Sequence, residues 1–291
     1  MSIRHEPLPL ASLPGLPPLQ LAVVGHVEVV SFLAVDHLPV AGAVARASRF
    51  AEEPAGAAAV AAVQMHRLTG ATVVLFTALG RDPAGEAAAE RLQQLGLELQ
   101  VAWRDAPTRR GVSLVDASGE RSITVAGERL APHADDPLPW EHIGACAGVF
   151  VTATDAAGLR LARRAPILTA TPRLRLPVLR AAAVRLDALI GSALDPAEQV
   201  PEGALDPPPC LRIATAGAAG GDVHPLGGFA APKRDHPVID SYGAGDCFAA
   251  GVTAGLAAGW TVHQAISLGC HCGSACLDGF GPYSHQLQRP I

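Results

Sequence analysis

Aromatic residues are scarce in this chain, at 4% of 291 positions. A long hydrophobic run is missing as well. The best candidate, Leu21 to Val35, is broken by His26, Glu28 and Ser31 and is too short to span a bilayer. No excess of positive charge is present either, since the formal net charge is −5. That balance offers no footing for nucleic acid or another polyanion. Met1 to Gln20 is rich in proline and leucine but lacks a basic start, an apolar core and a small-residue cleavage site. It reads as an irregular arm, and the expected location is cytoplasmic, with no membrane and no nucleic acid as partner. A paired C-x-x-C spacing is absent too. Cys270, His271, Cys272 and Cys276 lie close enough in sequence for zinc to be weighed. Cys270 and Cys272 point apart on a helix, however, which favours buried free thiols. A dinucleotide fingerprint is also lacking, because Val24-Gly-His-Val-Glu-Val holds a single glycine. No internal repeat is visible.

What the chain has is alanine, glycine and leucine, with 49% hydrophobic residues, ample for one buried core. Strand-like and helix-like segments alternate. Residues 21–27 and 72–78 read as buried strands, with helices over 56–68 and 83–95. Further strands are expected at 148–152, 167–171, 186–191 and 211–217, with a helix over 156–165. Thr261 and Gln264 have the spacing of a capping box. This order predicts an α/β fold with a mainly parallel sheet covered on both faces. Residues 98–127 depart from it, because period-2 segments run into a tight turn at Ala117-Ser-Gly with no helix between them.

The segment Asp240 to Gly251 (Asp-Ser-Tyr-Gly-Ala-Gly-Asp-Cys-Phe-Ala-Ala-Gly) is the most informative. Gly243 and Gly245 permit a bend that brings backbone close to a ligand. The free amides of the following helix then favour an anion. A carboxylate, Asp246, stands at that same helix start. It makes chemical sense there as a base that deprotonates a hydroxyl attacking a phosphoryl group held by the amides.

The segment closely resembles the C-terminal signature of the ribokinase-like (PfkB) carbohydrate and nucleoside kinases, D-T-x-G-A-G-D-x-F-x-x-G, with Ser241 in place of threonine. The resemblance implies a three-layer α/β/α core plus a small β lid. It implies a single kinase domain over residues 1–291, with lid segments at about 32–50 and 98–127. It makes Asp246 the catalytic base and Gly243, Ala244, Gly245 and Asp246 the anion hole. ATP and Mg2+ follow as cofactors, and in some members Asp240 neighbours a monovalent cation such as K+. Thr215, Gly217 and Gly220 resemble the stretch lying along the nucleotide. Asp195 and Glu198 stand where an N-x-x-E element organises water around magnesium. Gly80-Arg-Asp82-Pro-Ala-Gly85 resembles a structural turn of the family. Homodimerisation through the lid is a further expectation.

On the acceptor side the chain departs from the pattern. Val30 stands where an aspartate binds sugar hydroxyls, and Val60 where an asparagine does, beside Gly56. Losing such groups changes substrate identity. His26, Glu28 and Arg109 are candidates to face an acceptor instead. Arg109 and Arg110 fit either a phosphorylated or acidic acceptor or a solvated strand edge. Arg173 fits either a nucleotide phosphate or a surface pair. Two readings stand: an ATP-dependent kinase of a sugar-like small molecule, or a catalytically weak regulatory protein that binds nucleotide.

Overall fold

The computed structural model describes residues 4–288. The chain opens with β1 (Arg4–His5) and β2 (Leu21–Val24), then β3 (Glu28–Ala34), β4 (Arg49–Ala55), α1 (Ala57–Thr69) and β5 (Val73–Gly80). Next come α2 (Pro83–Gln94), β6 (Leu97–Arg104), β7 (Arg110–Val115), β8 (Arg121–Ala126), β9 (Gly148–Val151), α3 (Ala156–Ala162) and β10 (Ile167–Ala170). The remainder is α4 (Leu176–Ala182), β11 (Ala188–Ser192), β12 (Leu211–Thr215), β13 (Gly221–His224), β14 (Gly227–Phe229), α5 (Ala244–Ala257) and α6 (Val262–Cys276).

Local chemistry sets these boundaries. The alanine-rich α1 stops at Gly70, a left-handed C-cap with φ 65°. Asp82 caps α2 by accepting from Gly85 N, with Pro83 in the first turn. Thr261 and Gln264 form the expected capping box on α6.

Ten strands form one sheet in the order β1-β14-β13-β12-β11-β10-β9-β2-β5-β6. From β12 to β6 every neighbouring pair is parallel. Strand alternation divides the core in two. Leu21 and Val23 of β2 pack with α1, α5 and α6, while Ala22 and Val24 pack with Leu159 of α3 and Leu179 of α4. The three-layer α/β/α arrangement is as expected. After β2 the chain builds towards β6 on one side, then returns at β9 and builds the other way. The switch point therefore lies between the ends of β2 and β9, where open α/β sheets leave a crevice for ligands.

The second sheet has the order β4-β3-β7-β8. Here the structure corrects one boundary. Residues 98–104 do not join residues 110–126 in the small sheet but lie in β6, parallel to β5. The physical reason is α2: a strand–helix–strand unit returns parallel to its first strand, and 83–94 supplies that helix. The small sheet instead draws on residues 28–34 and 49–55, flanking the loop that had been expected to carry it.

Candidate active site

At the switch point Gly25 follows β2, and a Cβ there would collide with the Thr152 side chain at the end of β9. His26 comes next, buried, with Nδ1 lacking a partner. Burial, and then the charges of Arg129, Arg109 and Arg173, push its pKa well below the usual value, so the ring is neutral near pH 7. Gly56 packs against it with φ 89°, and a Cβ at Gly56 would lie 3.2 Å from His26 Nε2. The Gly56 amide donates to the Tyr242 hydroxyl at 3.1 Å. That contact ties the start of α1 to the glycine-rich loop.

The loop itself is held by Asp240. Its two carboxylate oxygens accept from Tyr242 N and Gly281 N, each at 2.9 Å. Gly243 is left-handed at φ 81° and caps α5 without any side-chain acceptor. Among the described residues no partner is found for the amides of Ala244, Gly245 and Asp246, so the helix start is open. A Cβ at Gly245 would meet nothing within 4 Å. Asp246, half-buried in the first turn, has its pKa raised to about 6. Burial is the main cause, with Glu198 and Glu28 adding to it and Arg173 and Arg121 opposing.

The charge of Arg173 acts on this carboxylate, while its guanidinium is held by the two acids expected near magnesium. Its guanidinium donates to Asp195 at 2.7 Å and to Glu198 at 2.5 Å. The other Glu198 oxygen accepts from Ser192 N at 2.9 Å, and the other Asp195 oxygen from Ala197 N at 2.9 Å. Every oxygen of the pair thus already has a donor. No cluster of three or more His, Cys, Asp or Glu side chains suited to a metal occurs among the described residues. With each oxygen held by a protein donor, the two carboxylates do not fit a direct magnesium site. Thr215 ends β12, and Gly217 (φ 57°) and Gly220 (φ 82°) shape the turn after it. A cleft of about 250 Å³ beside Glu198 is lined by Ser192, Arg212 and Ala214. Asp246 does not line it, so it is distinct from the space in front of the carboxylate.

The small sheet brings Glu28 and Arg109 to the switch point. Arg109 Nε lies 3.0 Å from Glu28 Oε2, yet neither atom has a hydrogen-bond partner. Burial raises the Glu28 pKa, with Arg109 opposing. Val30 and Val60 are fully buried. Val30 lies against Gly111, and Val60 lies beneath Gly243, where a Cβ would be 2.9 Å from Val60 Cγ1. Both valines serve packing. Sequence reasoning missed Arg121, Arg129, Thr152 and Tyr242. Arg129 follows β8 and Thr152 follows β9, so only the strand order brings them together. Tyr242 sits inside the quoted signature, and a buried hydroxyl in need of a partner was the available signal. Cys270, Cys272 and Cys276 are buried in α6 and face different neighbours. Cys276 Sγ donates to Tyr242 O at 3.2 Å, and Cys270 Sγ lies 3.9 Å from Ala230 O.

A parallel sheet with its switch point beside an uncapped, glycine-rich helix start bearing a carboxylate defines an α/β enzyme architecture suited to phosphoryl groups. The chain belongs to the pfkB family of carbohydrate kinases, whose model matches residues 19–193 and 211–288. A ribokinase from Thermotoga maritima is 20% identical with a TM-score of 0.72, covering 93% of this chain and 97% of that one. A Cryptococcus neoformans var. grubii ribokinase in complex with ADP is 21% identical, with a TM-score of 0.70 and coverage of 91% and 95%. A microbiome-derived acarbose kinase is 21% identical, with a TM-score of 0.76 and coverage of 92% and 96%. At these identities the likeness establishes the ribokinase-type fold. No curated protein sequence matches significantly.

Proposed function

We propose that this protein transfers the γ-phosphoryl group of ATP to a hydroxyl of a sugar or sugar-like acceptor, with Asp246 as the base. The observation that carries this reading is the start of α5, where open backbone amides and a carboxyl of pKa about 6 share one turn. A base of that pKa is ionised at neutral pH yet still basic enough to take a proton in the transition state. The acceptor O–H proton passes to Asp246 as the oxygen attacks the γ-phosphorus, and the bond to the bridging oxygen breaks to release ADP. The amides of Gly243, Ala244, Gly245 and Asp246 stabilise the charge on the transferring oxygens. Thr215, Gly217 and Gly220 flank the nucleotide, and the Cryptococcus ribokinase to which the chain is similar is in complex with ADP. Asp240 fixes the loop between them.

The small sheet acts as a lid that keeps water from the phosphoryl group. Phe50, Val112, Ile123 and Val125 expose apolar surface on it, which suits pairing with a second copy. No helix among the described residues is long and apolar enough to cross a membrane. A cytosolic enzyme acting on a small molecule is the reading that fits.

The test is ADP formation from ATP and magnesium across sugars, nucleosides, polyols and their charged derivatives, with Asp246→Ala alongside. Acceptor-dependent ADP that falls at least ~100-fold in the variant supports the kinase with Asp246 as base. ATP binding without transfer to any acceptor supports instead a regulatory protein, for which the packed Val30 and Val60 are the motive.

A further inference from the structure

Arg129 is a largely buried guanidinium that makes no hydrogen bond to a carboxylate among the described residues. It donates to Arg173 O at 2.9 Å and to Thr152 O at 2.7 Å, and its Nε has no partner. Two of its five N–H bonds are spent on carbonyls that fix the plane of the group, and three remain. Among the described residues it forms no ion pair, whereas Arg109 lies against Glu28 and Arg173 against Asp195 and Glu198. Burial and the nearby charges of Arg109, Arg175 and Arg173 lower its pKa to about 10, with the Glu28 carboxylate opposing. It therefore keeps its proton at neutral pH. Buried charges are ordinarily paired, and the Glu28 carboxylate that acts on Arg129 is already in contact with Arg109, so Arg129 has no anion of its own in hydrogen-bonding contact.

The surrounding atoms point the same way. His26 Nδ1 and Thr152 Oγ1 are buried and unpartnered, and Arg109 Nε, though ion-paired with Glu28, makes no hydrogen bond. They gather where β2 and β9 diverge, on the side of the small sheet. Arg109 keeps only 19% of its side chain exposed, so the solvated-edge alternative holds for exposed Arg110 and not for Arg109. A neutral sugar would satisfy the orphaned donors only in part and would leave the Arg129 charge unmatched.

We infer that the acceptor is an anionic polyol, a sugar-like molecule bearing a carboxylate or phosphate monoester, whose negative group is received by Arg129 and Arg109. This rests on the kinase reading above. The planar fork of Arg129, held by Thr152 O and Arg173 O, receives two oxygens of the anion side by side. Arg109 contributes a third donor, and neutral His26 and Thr152 take the adjoining hydroxyls. The acceptor hydroxyl is then presented towards Asp246.

The experiment compares neutral polyols with their carboxylate and phosphate-monoester counterparts, as in D-glucose, D-gluconate and D-glucose 6-phosphate, extended to pentoses and hexitols. Binding is measured by calorimetry without nucleotide, and turnover by ADP release. The expected result is that the preferred ligand is anionic, with the carboxylate and phosphate arms identifying the group. Arg129→Gln should weaken its binding on the order of 100-fold, the scale for truncating one side of a buried charge pair. Arg129→Lys, which keeps the charge but loses the fork, should recover part of that loss, and the KM for ATP should move little. Thermal melting of both variants shows whether each is folded. A neutral preferred ligand, no binding by any anionic member, or an effect of Arg129→Gln on the KM for ATP alone would overturn the inference. Anion binding without ADP release would sink the kinase reading, and with it the acceptor role, while leaving the anion site at Arg129 and Arg109 in place.

Discussion

Arg121 of the small sheet donates to the Ser241 hydroxyl at 2.7 Å, and the Ser241 amide donates to Gly119 O at 3.0 Å. The sheet is therefore latched onto the glycine-rich loop by its own β7–β8 turn. The Arg121 guanidinium also lies 5.9 Å from the centre of the Tyr242 ring. Phe32 of β3 meets that ring edge-on at 4.8 Å between centroids.

This latch predicts a specific fault when it is loosened. A hydrogen bond of this kind contributes about 0.5–1.5 kcal/mol, so Arg121→Ala should raise the acceptor KM by roughly 2–10-fold. Water should then enter, and acceptor-independent ATP hydrolysis should rise relative to transfer. Measuring both rates on one preparation decides the matter. An unchanged ratio of hydrolysis to transfer would show that the sheet does not exclude water.

Two glycines of one loop should respond in opposite ways. Gly243 has φ 81° and Val60 directly behind it, so Gly243→Ala should cost about 1–3 kcal/mol in denaturant melts. Gly245 has neither constraint. Gly245→Ala should leave stability within roughly 1 kcal/mol of wild type, since alanine suits a helix better. Its methyl group would project into the space assigned to the phosphoryl oxygens, and kcat should fall on the order of 100-fold. Wild-type kcat in Gly245→Ala would remove this helix start from the chemistry.

The cysteines offer a test without substrate. Cys210 is exposed, whereas Cys146, Cys247, Cys270, Cys272 and Cys276 are buried. Burial raises the Cys146 pKa to about 11 and that of Cys270 to about 12, which suppresses thiolate. A thiol reagent should modify one cysteine rapidly in the native protein and the rest only on unfolding. Fast modification of a second thiol would contradict the burial of these five cysteines.

The legible part of this protein was whatever local sequence determines. Strand and helix alternation, the α6 capping box and the Asp246 loop follow from spacing and residue type within a few positions. Two things were not local. The place of 97–104 depended on which strand it would pair with, and its alternating pattern matches either sheet. Arg129 and Thr152 lie 23 residues apart in sequence with no motif around either, and they meet because β9 sits beside β2. Val30 and Val60 were visible as departures, but their role in packing against Gly111 and Gly243 required the fold.

Asp246 should trade stability for activity. Its pKa is about 6 in the folded protein, against 3.8 for an ordinary aspartate. Between those values the folded protein holds a proton that the unfolded chain has released. Stability therefore falls as pH rises through that window and stays lower above it. The penalty corresponds to about 1–3 kcal/mol, allowing for screening at a half-buried group. Asp246→Asn removes it, so the variant should melt several degrees higher than wild type near pH 8 and converge with it below pH 3.8. The same ionisation governs catalysis with the opposite sign: kcat/KM for the acceptor should fall about tenfold per pH unit below pH 6, because only the carboxylate accepts the proton. Melting curves of the two proteins across pH, set beside the rate profile of the wild type, test one group by two independent readouts. A variant no more stable than wild type near pH 8 would mean that Asp246 is not held out of water as described. A rate flat through pH 6 would mean that another group takes the proton.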